Sequence, residues 1–412
     1  MSTLHYRSWP KGYPRTLEVP ATSLYYNLEA AARRYPDKAA IVFYDTIVSY
    51  GELKREVDAL AGFLQQRFNV GKGDRVLLMS QNCPQFVIAY YAILRADAVV
   101  VPVNAMSTAR ELEHYVSDSG VKAAIVAQEL VKSVAPCMRA DGLQHVLLLC
   151  YANYLREKTD MSVPEVLLQP EIPTGAEGAV RWNQALGEAC VPSAHLAGKD
   201  DMSVLPYTSG TTGLPKGCVH THGSLMAVLA ATQVWRKLSP ASVFLGVAPV
   251  FHLLGMQNGM NVPILLGATT LLLTRWDRDN AAALISRYGA TVWAAPPAML
   301  VDFFANPDIE RYDLSSLSLI SGGGAAMPEA VAGMLWEKFG LDYIEGYGMT
   351  ETASATHINP LHRPKRQCLG MPVFGVDSRV PRAYGSLVQE QRRLGRAQED
   401  SFAVWRNKNP RT

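Results

Sequence analysis

Cysteine is scarce and unpaired in this sequence. The six residues (Cys83, Cys137, Cys150, Cys190, Cys218 and Cys368) are scattered and form no C-x-x-C pair, which argues against a zinc site or a disulfide framework and fits a reducing cytoplasm. Each reads most simply as a small buried apolar side chain. An excess of one charge is missing too. The formal net charge is +2, so electrostatics gives no case for nucleic acid as the main partner. Long hydrophobic runs are absent. Val262 to Leu273 is broken by Pro263, Gly267 and two threonines, short of the roughly 20 apolar residues a membrane helix needs. The opening Met1-Ser2-Thr3-Leu4-His5-Tyr6-Arg7 has no signal-peptide apolar core. The common phosphate-binding pattern G-x-x-x-x-G-K-[ST] does not occur.

What is present is a globular composition, 48% hydrophobic and 18% charged over 412 residues, enough for two or three structural units of about 150 residues each. Strand-like and helix-like stretches alternate. The spacing of Leu53, Val57, Leu60 and Leu64 predicts a helix with one buried face. Ser49 with Glu52 predicts a capping box, and Thr108-Ala109-Arg110-Glu111 predicts the cap of another helix. Unbroken apolar strands such as Val99-Val100-Val101 predict a parallel sheet covered on both faces. Residues 151–200 lose this periodicity and read as a surface excursion between two lobes, with one short helix.

One stretch carries the strongest chemical signal: Tyr207-Thr208-Ser209-Gly210-Thr211-Thr212-Gly213-Leu214-Pro215-Lys216-Gly217. Glycines free backbone N–H groups to point at oxygens, the hydroxyls add donors, and Lys216 adds positive charge, so the stretch suits a polyphosphate. The plain alternative is a flexible polar loop. Three further groups follow predicted strands: His252, the run Ser321-Gly322-Gly323-Gly324-Ala325-Ala326, and Gly346-Tyr347-Gly348-Met349-Thr350-Glu351. In open α/β sheets, ligands gather beyond the carboxyl ends of the strands, so these groups are expected to meet at one edge. The triple glycine admits a flat ring or a carbon chain, or else makes a tight turn. Tyr347 can stack on a base or simply pack, Thr350 can donate to a phosphate, and Glu351 can hold magnesium or stand solvated. His252 can polarise a carboxylate or serve as a core-edge histidine with one hydrogen bond.

Tyr207 to Gly217, Pro249 to Met256, Ser321 to Pro328 and Gly346 to Glu351 occur in the order of the adenylate-forming superfamily. The chain resembles that family from about Leu24 to Arg379, and within it the fatty-acid and related acyl-CoA ligases most. The resemblance implies an α/β fold, the large N-terminal domain of adenylate-forming enzymes, with parallel-rich sheets sandwiched by helices. It implies two lobes, roughly 20–200 and 201–380. It further implies ATP and Mg2+ as cofactors, CoA as co-substrate, and a small-molecule carboxylic acid that joins ATP as an acyl-adenylate before thioester formation. By position, Thr208, Ser209, Gly210, Thr211, Thr212, Gly213 and Lys216 hold the phosphates. Gly324, Ala325, Ala326, Gly346, Tyr347, Gly348, Met349 and Thr350 line the nucleotide site. His252, Met256, Gly323 and Gly324 meet the acid, while Thr208 and Glu351 bind the metal. His252, Lys216, Thr350 and Glu351 serve catalysis. The apolar Leu253, Leu254, Met256 and Met260 lean toward a fatty or aryl acid, or else serve as core.

Beyond Arg379 the pattern changes. The family continues with a Tyr-x-x-Thr-Gly-Asp motif, a hinge and a small mobile domain carrying a lysine. Residues 381–412 instead hold six arginines and three glutamines with little apolar periodicity. They read as a disordered or frameshifted tail, or else a basic partner-binding tail. The expectation is a ligase impaired by truncation, with a catalytically inactive nucleotide- or acyl-binding protein as the alternative. Homodimerisation and peripheral membrane contact stay open.

Overall fold

The computed structural model describes residues 4–172, 179–208 and 213–378. The tail expectation for 381–412 lies outside them. Two large sheets organise the chain. In the seven-stranded sheet the spatial order is His220–Thr221, Met202–Val204, Val99–Val103, Arg75–Met79, Ala123–Ala127, His145–Leu149 and Ala179–Arg181. All its pairings are parallel except that of His220–Thr221. Period-two geometry sends alternate side chains to opposite faces. Val76, Leu78, Val100, Ile125 and Leu147 enter a large core shared with the second sheet. Leu77, Met79, Val99, Val101, Val126 and Leu148 enter a smaller core beneath helix Ala109–Ser119. Both faces are dry, which is why these strands carry no polar alternation.

The nine-stranded sheet runs Met371–Pro372, Ser354–Ile358, Tyr343–Met349, Leu319–Gly322, Val292–Ala294, Val243–Gly246, Thr269–Leu272, Ala39–Phe43 and Thr46–Ser49. Its middle is parallel and its two ends are antiparallel. The sheets exchange strands across the expected boundary near residue 200. Ala39–Phe43 pairs with Thr269–Leu272, while Met202–Val204 pairs with Val99–Val103. Helix Pro84–Arg95 is buried nearly all round and packs against helix Tyr50–Arg67.

Two local expectations are corrected, and one helical segment departs from regular pitch. Thr108 and Glu111 form the full capping box, but Ser49 makes only its own half. Its side chain accepts from the Glu52 N–H, while the Glu52 carboxylate pairs with Arg156. Residues 151–200 are partly core: Tyr151, Tyr154 and Trp182 are buried, and Ala179–Arg181 edges the sheet. Apolar anchors of about 1.5–3 kcal/mol each hold this stretch down. The segment Leu253 to Leu266 is helical throughout but changes pitch. A π-helical stretch, Gln257–Asn261, separates α-helices Leu253–Met256 and Val262–Leu266. Pro263 has no N–H to give an i−4 carbonyl, and such wide turns often sit at functional sites.

One buried cluster has the connectivity of a hydrolase triad. Ser23 Oγ lies 2.5 Å from His195 Nε2, and His195 Nδ1 lies 2.7 Å from Asp97 Oδ1. Ser23 is fully buried, so no substrate reaches it. Asp97 also accepts from the Leu196 and Ala197 N–H groups. The cluster therefore pins the chain after residue 190 to the N-terminal helix.

Candidate functional site

His252 ends the segment that follows strand Val243–Gly246 and N-caps helix Leu253–Met256. Its Nδ1 accepts from the Leu254 N–H at 3.3 Å. That bond places the imidazole proton on Nε2, which is then a donor. His252 is exposed at the cavity wall, yet the protein packed around its ring disfavours a charge and holds its pKa below the usual histidine value, so the ring is neutral at neutral pH. Gly255 lets the chain fold back this tightly: a Cβ there would stand 2.2 Å from the Pro249 carbonyl oxygen.

The glycine run ends strand Leu319–Gly322. A Cβ on Gly322 would meet the Ala295 carbonyl oxygen at 2.1 Å, and one on Gly323 would meet that of Gly346 at 2.4 Å. The first two glycines thus serve close approach of neighbouring strands. Gly324, with φ +86° and open space around it, makes the turn. Ala325 and Ala326 are exposed beyond it.

Gly346 to Met349 is not a loop after a strand. The strand runs on to Met349 and turns through Thr350–Thr352 into the antiparallel partner Ser354–Ile358. Gly348 permits this, because a Cβ would lie 2.1 Å from the Ser354 carbonyl oxygen. The Tyr347 ring is 41% exposed, leaving it open for stacking. His220 Nε2 donates to the Thr350 carbonyl oxygen at 2.8 Å, fixing the turn that carries Glu351.

The polyphosphate-type stretch closes as a small hairpin, with Lys216 opposite Thr208 and Gly217 opposite Tyr207. Ser209, Gly210, Thr211 and Thr212 lie outside the described residues. Gly213 has φ +106°, a turn geometry that favours glycine. The hairpin is anchored to helix Ala109–Ser119. Tyr207 Oη donates to Asp118 at 2.7 Å, and His114 Nε2 donates to the Pro215 carbonyl oxygen at 2.7 Å.

A cavity of about 320 Å³ gathers His252, Gly323, Gly324, Gly346, Gly348, Met349 and Thr350 with Leu253, Leu254, Arg236 and Asn258. Sequences far apart therefore meet at one sheet edge. Thr208, Lys216, Ala325, Ala326, Tyr347 and Glu351 lie outside its lining. Met256 is fully buried and Met260 nearly so; they are core side chains, whereas Leu253 and Leu254 reach the cavity. Thr208 and Glu351 both act on Cys218. Burial first, then the charge of Glu351, push the Cys218 thiol up to about 11, and the Thr208 hydroxyl bonds to it. Among the described residues no group of three or more His, Cys, Asp or Glu side chains is placed to hold a metal. One hydroxyl and one carboxylate suit magnesium, which takes few protein ligands and completes its shell with phosphates and water. Sequence reasoning missed Arg236, Asn258, His220 and Cys218. An arginine at a helix end looks like an ordinary dipole partner, and nothing local shows its side chain turned inward.

The AMP-binding enzyme family model matches residues 28–392. A long-chain-fatty-acid–CoA ligase of Bacillus subtilis is 31% identical over 384 residues, covering 90% of this chain and 68% of its own length. One from Salmonella typhimurium is 30% identical, with 90% and 69% covered. Among solved structures, the anthranilate CoA ligase AuaEII in complex with anthranoyl-AMP aligns with a TM-score of 0.75 at 24% identity, covering 88% of this chain and 68% of its own. A long-chain-fatty-acid–CoA ligase from Archaeoglobus fulgidus aligns with a TM-score of 0.73 at 24% identity, with 89% and 72% covered. These structures share the parallel-rich, helix-flanked architecture. With the family model matched over most of its length, and a relative 31% identical, the chain belongs to the AMP-binding enzyme family.

Proposed function

We propose that the protein joins a carboxylic acid to ATP as an acyl-adenylate, on the way to a CoA thioester. The observation that carries this reading is the convergence of His252, the Gly322–Gly324 turn and Gly346–Thr350 on one cavity. The first step must bring two anions together. Neutral His252 donates from Nε2 to the acid's carboxylate without adding a charge that would quench it. Thr350 offers a hydroxyl to the α-phosphate, and the exposed Tyr347 ring a face for the base. Gly213 and Lys216, with the stretch between Thr208 and Gly213, would hold the outer phosphates. Thr208 and Glu351 would hold magnesium, which supplies charge neutralisation when bound. The first step releases pyrophosphate; in the second the CoA thiol gives up its proton, its sulfur bonds to the acyl carbon, and AMP leaves. The names of the relatives favour a fatty acid. Six free cysteines favour a reducing cytoplasm, and no helix among the described residues is long and apolar enough to cross a membrane.

Acid-dependent exchange of labelled pyrophosphate into ATP tests the first step on the 412-residue chain. Exchange that requires both acid and magnesium is expected. Nucleotide binding with no exchange for any acid would leave an inactive binding protein and sink the proposal. Glu351→Gln is expected to slow exchange roughly 10- to 100-fold, with part of the loss recovered at high magnesium, because one carboxylate ligand is removed. His252→Ala is expected to raise the acid's KM about tenfold with a smaller effect on ATP, the cost of one hydrogen bond to a charged group.

A further inference from the structure

Arg236 is the one Arg or Lys in the cavity lining, and the chemistry above does not use it. It follows helix His222–Trp235 as its C-cap and is only 7% exposed. Its Nη1 donates to Asn258 Oδ1 at 2.5 Å, and its Nε is buried with no partner. No carboxylate among the described residues forms an ion pair with it. Burial lowers its pKa to about 10, still far above neutral, so the guanidinium keeps its charge. A buried cation without a counter-charge is costly, and a cavity wall is where a ligand can supply the missing charge.

The geometry points to a carboxylic acid with a second carboxylate at its far end, held by Arg236 and Asn258 while His252 holds the reacting one. His252 and Asn258 stand on one continuous helical segment, with Leu253 and Leu254 between them at the cavity wall. Six residues at roughly helical rise set the backbone positions of His252 and Asn258 about 9 Å apart along the segment. The wall therefore reads polar, apolar, polar. A plain hydrocarbon tail would fill its middle and leave the guanidinium dry and unpaired. A planar carboxylate can accept two parallel N–H bonds from it. A cavity of about 320 Å³ is at the small end for ligand pockets, which also favours a short diacid over a long chain.

This inference rests on the acid-activation reading, and its test keeps the two apart. Binding of suberate and octanoate, and of adipate and hexanoate, is measured by calorimetry on the full chain with magnesium and a non-hydrolysable ATP analogue. The same pairs are run on Arg236→Met and Arg236→Lys. We expect each diacid to bind wild type at least tenfold more tightly than its monoacid. Arg236→Met should lose that preference while keeping monoacid binding, and Arg236→Lys should keep part of it. A merely structural arginine would weaken both acids alike and leave their ratio unchanged. Monoacids or palmitate binding wild type as tightly as the diacids overturns the inference, whether or not the variants fold, and leaves acid activation standing. No binding by any acid removes the acid site itself, and this inference with it.

Discussion

Between pH 7 and pH 4 the protein is expected to lose about 3 kcal/mol of stability through His222 alone. Burial first, then the positive potential of His195, lower the His222 pKa from 6.5 to about 4. The side chain opens helix His222–Trp235, and a helix N-terminus disfavours a cation. Its Nδ1 accepts from the Leu24 N–H at 3.1 Å, a bond that a doubly protonated ring cannot make. The folded state thus holds a neutral ring where the unfolded chain would bind a proton. Stability from this source is full above about pH 6.5 and is lost as pH falls toward 4. His220, His252 and His357 are also lowered by burial and act in the same sense, so the total slope will be steeper. His222→Asn isolates the one contribution, since an amide oxygen can accept from Leu24 without titrating. Urea unfolding at pH 7.5, 6 and 4.5 should show a gap between wild type and variant that changes by most of that energy. Parallel pH curves would show that His222 is not the group responsible.

The same region shows what a sequence can and cannot reveal. Strand Val99–Val103 was legible because burial on both faces removes polar residues from it. The capping box of Thr108 and Glu111 was legible because its partners are three residues apart. The gathering of His252, the glycine run and Gly346–Thr350 followed from each standing near a strand end. What stayed hidden depended on distant partners. Nothing near Ala39–Phe43 says that it pairs with Thr269–Leu272. Nothing near Glu52 says that Arg156 will take its carboxylate from the cap. Arg236 reads as a surface residue until tertiary packing turns it toward Asn258. Met256 reads as a pocket residue until helical phase puts it in the core. Local rules fixed elements and caps; side-chain direction near the site was set by contacts far along the chain.

Gly322→Ala is expected to cost roughly 3–5 kcal/mol, more than a change at a helix-end glycine with open space around it. Gly322 lies in a central parallel strand, between those ending at Ala294 and passing through Glu345. A methyl group there would stand 2.1 Å from the Ala295 carbonyl oxygen and 2.4 Å from Tyr343 Oη. Those two atoms are themselves hydrogen-bonded at 2.9 Å, so the methyl would wedge apart a buried bond. Overpacking costs about 1–3 kcal/mol, and stranding a buried donor and acceptor adds a comparable amount. Neither neighbour is the free end of a flexible chain: one is backbone, and the other is a buried tyrosine (7% exposed). Gly340→Ala provides the contrast. Gly340 has φ +64° but nothing within 4 Å of its would-be Cβ, so only the left-handed backbone penalty of about 1–2 kcal/mol applies. Urea midpoints should therefore fall in the order wild type, Gly340→Ala, Gly322→Ala. The double change Gly322→Ala with Tyr343→Phe should recover part of the loss, because the hydroxyl that crowds the methyl is gone. If Gly322→Ala proves no worse than Gly340→Ala, the glycine serves the turn or the ligand, and close strand packing is not its reason. The distinction matters for function, because the same strand ends in Gly323 and Gly324 at the cavity. A displacement that frees the methyl would move the turn against which the acid and nucleotide are proposed to meet, so acid binding should weaken along with stability.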